Sequence, residues 1–129
     1  MPRTANATGR SLTKGRFALI PEIVVLSPAY TATPLAARAL LIEIAVLYSS
    51  KNNGFIGLSV RQGAERLGCS KDTAAKAFRQ LEAHGLIRST RKGKFATKTA
   101  PLATEWRLTW RTCDKSNHLP SHDYQRWRP

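Results

Sequence analysis

The stretch SVRQGAERLGCSKDTAAKAFRQLEAHGLI, residues 59–87, predicts two helices joined by a tight turn. Ser59 and Gln62 have the spacing of a capping box, in which the side chain of each residue accepts a hydrogen bond from the backbone N–H of the other at the start of a helix. The first helix of the pair is therefore expected over residues 60–67, and the second follows after only a few residues.

The second helix is expected over residues 71–84. Gly68 suits the left-handed conformation that ends a helix, Ser70 suits the cap of the next one, and Gly85 suits its stop. One face is apolar at helical spacing and should be buried: Ala74, Ala77, Phe78 and Leu81. The opposite face should be exposed: Lys71, Asp72, Ala75, Lys76, Arg79, Gln80 and Ala83.

An apolar helix is predicted upstream, in LAARALLIEIAVLYSS, residues 35–50. Thr33 suits its N-cap, and Pro34 suits its first position, where the missing N–H would have no partner. One face is formed by Leu40, Leu41, Ile44, Leu47 and Tyr48. Ile42 and Val46 widen the apolar surface beyond that face.

The strands of the predicted sheet are short. FIGLS (55–59) precedes the helix pair, and residues 86–91 follow it. A long basic loop, KGKFATKTAPLA (92–103), then leads to TEWRLTW (104–110), where apolar and polar residues alternate with the period of a strand. Residues 17–27 fit either a strand or a helical turn. The order of elements predicts an α+β fold of the winged-helix type, with a three-helix core and a small antiparallel sheet.

The chain divides into three parts by composition. Residues 1–15 are polar and basic and are expected to form a flexible arm. Residues 16–112 form the predicted domain. Residues 113–129 are a polar tail, expected to lie loosely on the surface or to be disordered.

Charge indicates the class of partner. Twenty-one Lys and Arg against eight Asp and Glu give a formal net charge of +13 over 129 residues. Residues 59–98 contain ten basic and three acidic side chains, a net of +7. Such an excess favours polyanions, nucleic acid first and an anionic membrane surface second.

Compartment follows from the cysteines and the hydropathy pattern. Cys69 and Cys113 have no disulfide-framework spacing, which is typical of a reducing cytosol. No apolar stretch reaches the roughly 18 residues of a membrane span. The expected location is the cytoplasm, in association with the nucleoid.

The helix pair resembles the pattern A..LG.S..T....L..L...GLI of winged helix-turn-helix domains in bacterial regulators and plasmid replication initiators. The matching residues are Ser59, Ala64, Leu67, Gly68, Ser70, Thr73, Phe78, Leu81, Gly85, Leu86 and Ile87. The resemblance covers about residues 17–111. Ala74 departs from it, since a larger aliphatic residue is usual there, and Phe78 is expected to fill the space.

The resemblance implies a DNA-binding surface. The second helix of the pair would enter the major groove by its amino-terminal half, with the loop after it as a wing on the backbone. The residues expected to contact DNA are Ser59, Arg61, Ser70, Lys71, Thr73, Lys76, Arg79 and Gln80, with Arg91, Lys92, Lys94 and Lys98 in the wing over residues 91–98. The wing lysines have a second explanation, the protection of an exposed sheet edge.

Three functions are compatible with these features. The first is sequence-preferring binding of double-stranded DNA by a small transcriptional regulator; the second is a replication-associated or plasmid or phage accessory DNA-binding protein. The third is a winged helix used for protein interaction. Residues 23–26, with Ile42 and Val46, either bury each other or form a homodimer surface, and a dimer would predict a two-fold symmetric DNA site.

Catalysis, cofactors and metals are not expected. The chain contains no Gly-rich phosphate loop, no G-x-S-x-G, no HExxH and no paired carboxylates. Cys113, His118 and His122 have C-x4-H-x3-H spacing, but a structural zinc site needs a fourth ligand. No domain for a small-molecule effector is evident, and His84 is expected to interact with the end of its helix rather than to act as a base.

Overall fold

Serine side chains cap the start of three of the helices of this protein. The computed structural model describes residues 17–91, 94–95 and 101–129. The helices are α1 (Glu22–Val25), α2 (Pro28–Thr31), α3 (Leu35–Leu47), α4 (Val60–Leu67), α5 (Lys71–Ala83) and a 3-10 helix (Asp123–Arg126). The strands are β1 (Ile56–Gly57), β2 (Ile87–Arg91), β3 (Lys94–Phe95), β4 (Pro101–Leu102) and β5 (Glu105–Leu108).

The predicted signals of the helix pair are confirmed. Ser59 and Gln62 form a complete capping box at the start of α4. Gly68 ends α4 in the left-handed conformation, with φ 67°. Ser70 caps α5 by accepting a hydrogen bond from the backbone N–H of Thr73. These contacts fix a tight turn between two helices, as the sequence predicted.

At the amino end one prediction is corrected and one open alternative is decided. The N-cap of α3 is Pro34, not Thr33, and the helix begins at Leu35. Thr33 is buried, and its hydroxyl donates instead to the carbonyl oxygen of Ala29 at 2.7 Å, so it closes the end of α2. Within residues 17–27 the ordered element is the short helix α1, which excludes the strand alternative there.

Three helices pack together with a three-stranded antiparallel sheet. Helix α5 packs on both α3 and α4, and strand β5 lies between β1 and β2. Ile56 lies opposite Trp106, and Ile87 lies opposite Leu108, so apolar side chains share the inner face. Strands β3 and β4 pair separately. This α+β architecture is consistent with a winged helix and confirms the predicted fold class.

The core is continuous between the helices and the sheet. Its members come from α1 to the 3-10 helix: Val24, Ala29, Ala37, Leu40, Leu41, Ile44, Ile56, Leu58, Ala77, Phe78, Leu81, Leu86, Ile87, Trp106, Leu108, Trp110 and Tyr124. The predicted apolar face of α5 is therefore confirmed. Strand β5 is shorter than predicted, because the chain turns after Leu108 and the hydroxyl of buried Thr109 donates to the carbonyl oxygen of Gly85 at 2.7 Å.

The carboxyl-terminal segment packs onto the domain, contrary to the expectation of a loose or disordered tail. Tyr124 is fully buried in the core, and the 3-10 helix contacts α2. Trp127 lies against the ring of His84 with ring centroids 4.5 Å apart. Nonlocal aromatic contacts of this kind leave no periodic signal in a polar sequence, which is why the sequence did not reveal them. Within the described residues, no helix combines the length and apolarity that crossing a bilayer requires.

Candidate nucleic-acid interface

The outward face of α5 carries the side chains expected to read DNA. Its buried face packs on α3 and α4, so Lys71, Lys76 and Arg79 project outward and are exposed. Thr73 is exposed in the first turn, and Gln80 is half-buried. The structure therefore places these five candidate residues on one helix, with the three cations on its outer side.

The two serines among the candidate residues, Ser59 and Ser70, cap the starts of helices. The hydroxyl oxygen of Ser59 accepts a hydrogen bond from the N–H of Gln62 at 3.1 Å. The hydroxyl oxygen of Ser70 accepts from the N–H of Thr73 at 3.1 Å, and its O–H donates to Thr73 Oγ1 at 3.0 Å. Their demonstrated contacts are caps, which set the direction of each helix and so position the neighbouring side chains.

Four cations near the turn between α4 and α5 have no ionic contact within the described protein. Among the residues that the structure describes, no carboxylate lies within ion-pair distance of these four: Arg61, Lys71, Lys76 and Arg79. Arg61 is exposed on α4, the helix that precedes the turn. Since a cation without an internal partner keeps its full charge available for a ligand, these four residues form a basic face, which we call the α4–α5 basic face.

Other basic side chains are held within the protein. Arg66 pairs with Glu43 at 3.2 Å, and Lys115 pairs with Glu105 at 2.6 Å. Arg88 and Arg126 both pair with Asp123. Arg38 donates to two backbone carbonyl oxygens near α2, and Arg111 lies over the ring of Tyr48. Of the basic side chains behind the net charge of +13, many outside the α4–α5 basic face already have a partner within the protein. The cations of the α4–α5 basic face remain available to a ligand.

The alanines of α5 bring it close to its neighbours. Ala74 and Ala77 are buried, and Ala75 is half-buried. Phe78 is buried and stacks on Trp106 with ring centroids 5.2 Å apart. A groove beside this stack lies between α5 and the sheet, bordered by Ala75, Arg79, Glu82, Leu58, Val60, Phe78, Thr104 and Trp106. Sequence reasoning missed this groove, because its walls come from residues far apart in the chain.

The wing is described only in part. Arg91 is exposed, and its Nη2 donates to the carbonyl oxygen of Ala103 at 2.9 Å while its Nη1 lies 3.7 Å from Glu105 Oε2. Lys94 lies in β3, and Lys92 and Lys98 lie outside the described residues. The structure thus connects β2 and β5 through Arg91 and locates the backbone of β3 beyond it.

No metal-ligating cluster is present in the described ranges. No three His, Cys, Asp or Glu side chains there converge as ion ligands. Cys113 is buried instead, beside Gly54. Burial opposes its ionisation, but hydrogen bonds from Ser116 and from the backbone of Lys115, with the charge of Arg107, outweigh it and lower the thiol pKa.

Comparisons with known proteins returned no relative. No protein-family model, curated protein or solved structure matches the chain. Function must therefore be argued from the site itself.

Proposed function

We propose that this protein binds double-stranded DNA, with α5 in the major groove and the hairpin beyond β2 on the sugar-phosphate backbone. The observation that supports this proposal is the α4–α5 basic face, whose four cations have no internal ion-pair partner in the described part of the chain. A polyanion gains most from such a face, because each Lys or Arg contact to a phosphate releases condensed counterions.

The shape of the face suits duplex DNA. Helix α5 has thirteen residues, and its polar side faces outward from the core. An α-helix fits the major groove of B-form DNA, where Arg and Lys can donate to the O6 and N7 atoms of guanine. Ser70 caps the amino end of α5, and the uncompensated N–H groups of a helix start favour a nearby phosphate. Arg79 lies two turns further along the helix, where it can contact a base or a phosphate.

The biological role that we assign is that of a small transcriptional regulator in the cytoplasm. A replication-associated protein would use the same interface on an origin, so the DNA that is bound distinguishes the two roles. Recovery of bound DNA from cells separates them, since a regulator is recovered with promoter fragments and a replication protein with origin fragments.

Selection of duplexes from a random pool, followed by salt titration of the selected sequence, tests DNA binding. We expect a recurring sequence and an association constant that falls steeply with salt, by about 0.9 log units for each log unit of salt per phosphate contacted. Binding that selects no sequence and does not weaken with salt would reject DNA as the ligand. The protein-interaction module would then become the leading function.

Arg79→Ala tests what one residue of the α4–α5 basic face contributes to DNA binding. Loss of a base contact should cost about 1–3 kcal/mol at the selected sequence and relax preference at one position, whereas loss of a phosphate contact should weaken all duplexes and reduce the salt slope by about 1. Arg66→Ala is the matched control, because it removes the same charge from a side chain that pairs with Glu43 on α3. Equal binding losses in the two variants would indicate a nonspecific charge effect and contradict the proposed interface.

A further inference from the structure

The outer side of α3 carries an exposed apolar stripe. Leu35, Ile42 and Val46 are large apolar residues with 79%, 45% and 48% of their surface exposed, and Ala39 is exposed between them. Their spacing of four, three and four residues places all four on one line of the helix. We call these four residues the α3 stripe. The opposite side of α3 is equally apolar and forms the core through Ala37, Leu40, Leu41, Ile44 and Ala45.

The α3 stripe has the heptad spacing of a two-helix seam. Residues that alternate three and four apart are the a and d positions of a coiled coil, which insert between side chains of a facing helix. Seven of the ten exposed large apolar residues in the described chain lie between Phe17 and Val46, so the apolar exposure concentrates on this part of the molecule. Isolated exposed apolar residues need no explanation, but an aligned set indicates a contact surface.

A second copy of the chain is the occupant that best fits the α3 stripe. The amino-terminal residues 1–16 are a poor candidate, because they contain four basic side chains and, as large apolar residues, only Met1 and Leu12. A second α3 offers the same apolar spacing. Its interface would be self-complementary, as two-fold symmetry requires.

The two charges of α3 select the relative direction of the helices. Arg38 and Glu43 flank the stripe on opposite sides and are five residues apart, which is the separation of g and e positions that meet between parallel helices. In a parallel pair, Arg38 of each copy therefore faces Glu43 of the other. In an antiparallel pair, each charge faces an uncharged flank instead.

Both charged groups retain hydrogen-bonding capacity for such a contact. Arg38 uses Nε and Nη2 for the carbonyl oxygens of Thr33 and Thr31, and Glu43 uses Oε1 for Arg66. Within the described ranges, Nη1 of Arg38 and Oε2 of Glu43 make no hydrogen bond. The exposed Arg66 pair is also weak enough to rearrange, since surface ion pairs contribute about 0–1 kcal/mol.

We infer that the protein forms a two-fold homodimer through parallel pairing of the α3 stripes, and that this dimer joins two DNA duplexes. The second part rests on the proposed DNA binding. The buried face of α5 packs on α3, so the outward side of α5, which carries Lys71, Lys76 and Arg79, lies on the side of the protomer away from α3. A dimer made through the outer side of α3 therefore directs its two basic faces apart. One straight duplex cannot contact both faces, in contrast to the symmetric half-sites expected from the sequence.

Sedimentation equilibrium with Ile42→Glu tests the interface. Wild-type protein is expected to dimerise at tens of micromolar, and Ile42→Glu is expected to be monomeric, because it places a charge at the centre of the seam. Leu119→Glu is the matched control, since it makes the same change at another exposed apolar residue and should remain dimeric. Equal unfolding temperatures would show that all three proteins are folded. A monomeric wild type, or a dimeric Ile42→Glu variant, would overturn the α3 interface.

Disulfide trapping of Leu35→Cys tests the parallel direction. In a parallel pair the two Cys side chains face each other, and oxidation should yield a covalent dimer that wild type, with its native thiols, does not form. In an antiparallel pair residue 35 faces residue 46, and the two copies of residue 35 lie roughly 16 Å apart along the axis at 1.5 Å per residue. Trapping by Leu35→Cys with Val46→Cys combined, but by neither variant alone, would contradict the parallel arrangement.

Capture of a labelled duplex by an identical bead-bound duplex tests the bridging. Wild type and Leu119→Glu should capture the free duplex. Ile42→Glu should bind a single duplex but lose capture at least tenfold, and Arg79→Ala should weaken binding and capture together. If wild type binds one duplex as a dimer and captures none, the bridging inference fails while DNA binding stands. If no duplex is bound at all, the proposed function fails and the sedimentation result still decides the dimer.

Discussion

One buried amide joins three segments at the base of the sheet. Asn53 is fully buried, and its Oδ1 accepts a hydrogen bond from the N–H of Leu108 at 2.6 Å. Its Nδ2 lies within hydrogen-bond distance of the carbonyl oxygens of Leu108, Arg111 and Thr112. The backbone N–H of the same residue donates to Asp114 at 2.7 Å. A single side chain therefore satisfies the backbone where β5 ends and the carboxyl-terminal segment begins.

We expect Asn53→Ala to destabilise the protein by about 2–4 kcal/mol, because it leaves several buried backbone groups without partners. Urea denaturation followed by circular dichroism measures this change. Lys51→Ala truncates an exposed side chain and should change the free energy of unfolding by less than about 0.5 kcal/mol. Similar values for both variants would mean that the Asn53 network is unimportant for stability.

At the scale of elements, the α4–α5 pair depends on one close approach. Gly63 faces Phe78, and a Cβ atom at position 63 would lie 2.9 Å from Cε2 of that ring. The same ring stacks on Trp106, with ring centroids 5.2 Å apart. Glycine here lets α4 sit against the aromatic stack, which in turn fixes the angle at which α5 presents the α4–α5 basic face.

Gly63→Val should therefore destabilise the fold by about 2–3 kcal/mol, since overpacking a filled core forces side chains or backbone to shift. Gly57→Val is the comparison, because the nearest atom to a Cβ there is 3.9 Å away and valine is favoured in strands. Thermal or urea unfolding of the two variants distinguishes them. A neutral Gly63→Val would show that the two helices can separate without cost.

At the scale of the whole molecule, the carboxyl-terminal segment packs back onto the domain and holds two of its elements together. Asp123 is buried and pairs with Arg88 of β2 and with Arg126. The backbone of Asp123 also lies against Gly85, where a Cβ atom would approach its carbonyl carbon to 2.7 Å and where φ is +76°. The segment thus covers the junction between α5 and β2. Burial alone would raise the carboxyl pKa, but hydrogen bonding with the side chains of Ser121 and Arg88, together with the charges of Arg88 and Arg126, holds it below its ordinary value.

This lowered pKa makes stability depend on pH. A carboxylate that is harder to protonate in the folded state stabilises the protein above its unfolded pKa, and the contribution is lost as pH falls through the folded pKa. Wild type should therefore be more stable than Asp123→Asn at pH 7, and the difference should shrink below about pH 4. Urea unfolding of both proteins from pH 7 to pH 3 measures it. A difference that stays constant to pH 3 would contradict the role of the Asp123 ion pairs.

The sequence by itself determined the local geometry of the helix pair and the order of elements. Capping by Ser59 and Ser70, the left-handed Gly68 and the buried face of α5 depend on residues within one or two turns of each other, so their spacing predicts them. It also indicated which side chains of α5 face outward. The same local rules misplaced the start of α3, because the hydroxyl of Thr33 bonds to α2 instead of capping the next helix.

Only the tertiary structure decided which charges are available and where the carboxyl-terminal segment lies. In the sequence, nothing distinguishes Arg66, Arg88 and Lys115 from the unpaired cations of α5. In the structure, each of the three has an acidic partner at least ten residues away along the chain. Tyr124 enters the core without any periodic pattern around it. Pairing and burial over such distances depend on how the whole chain folds back on itself, and no local spacing encodes them.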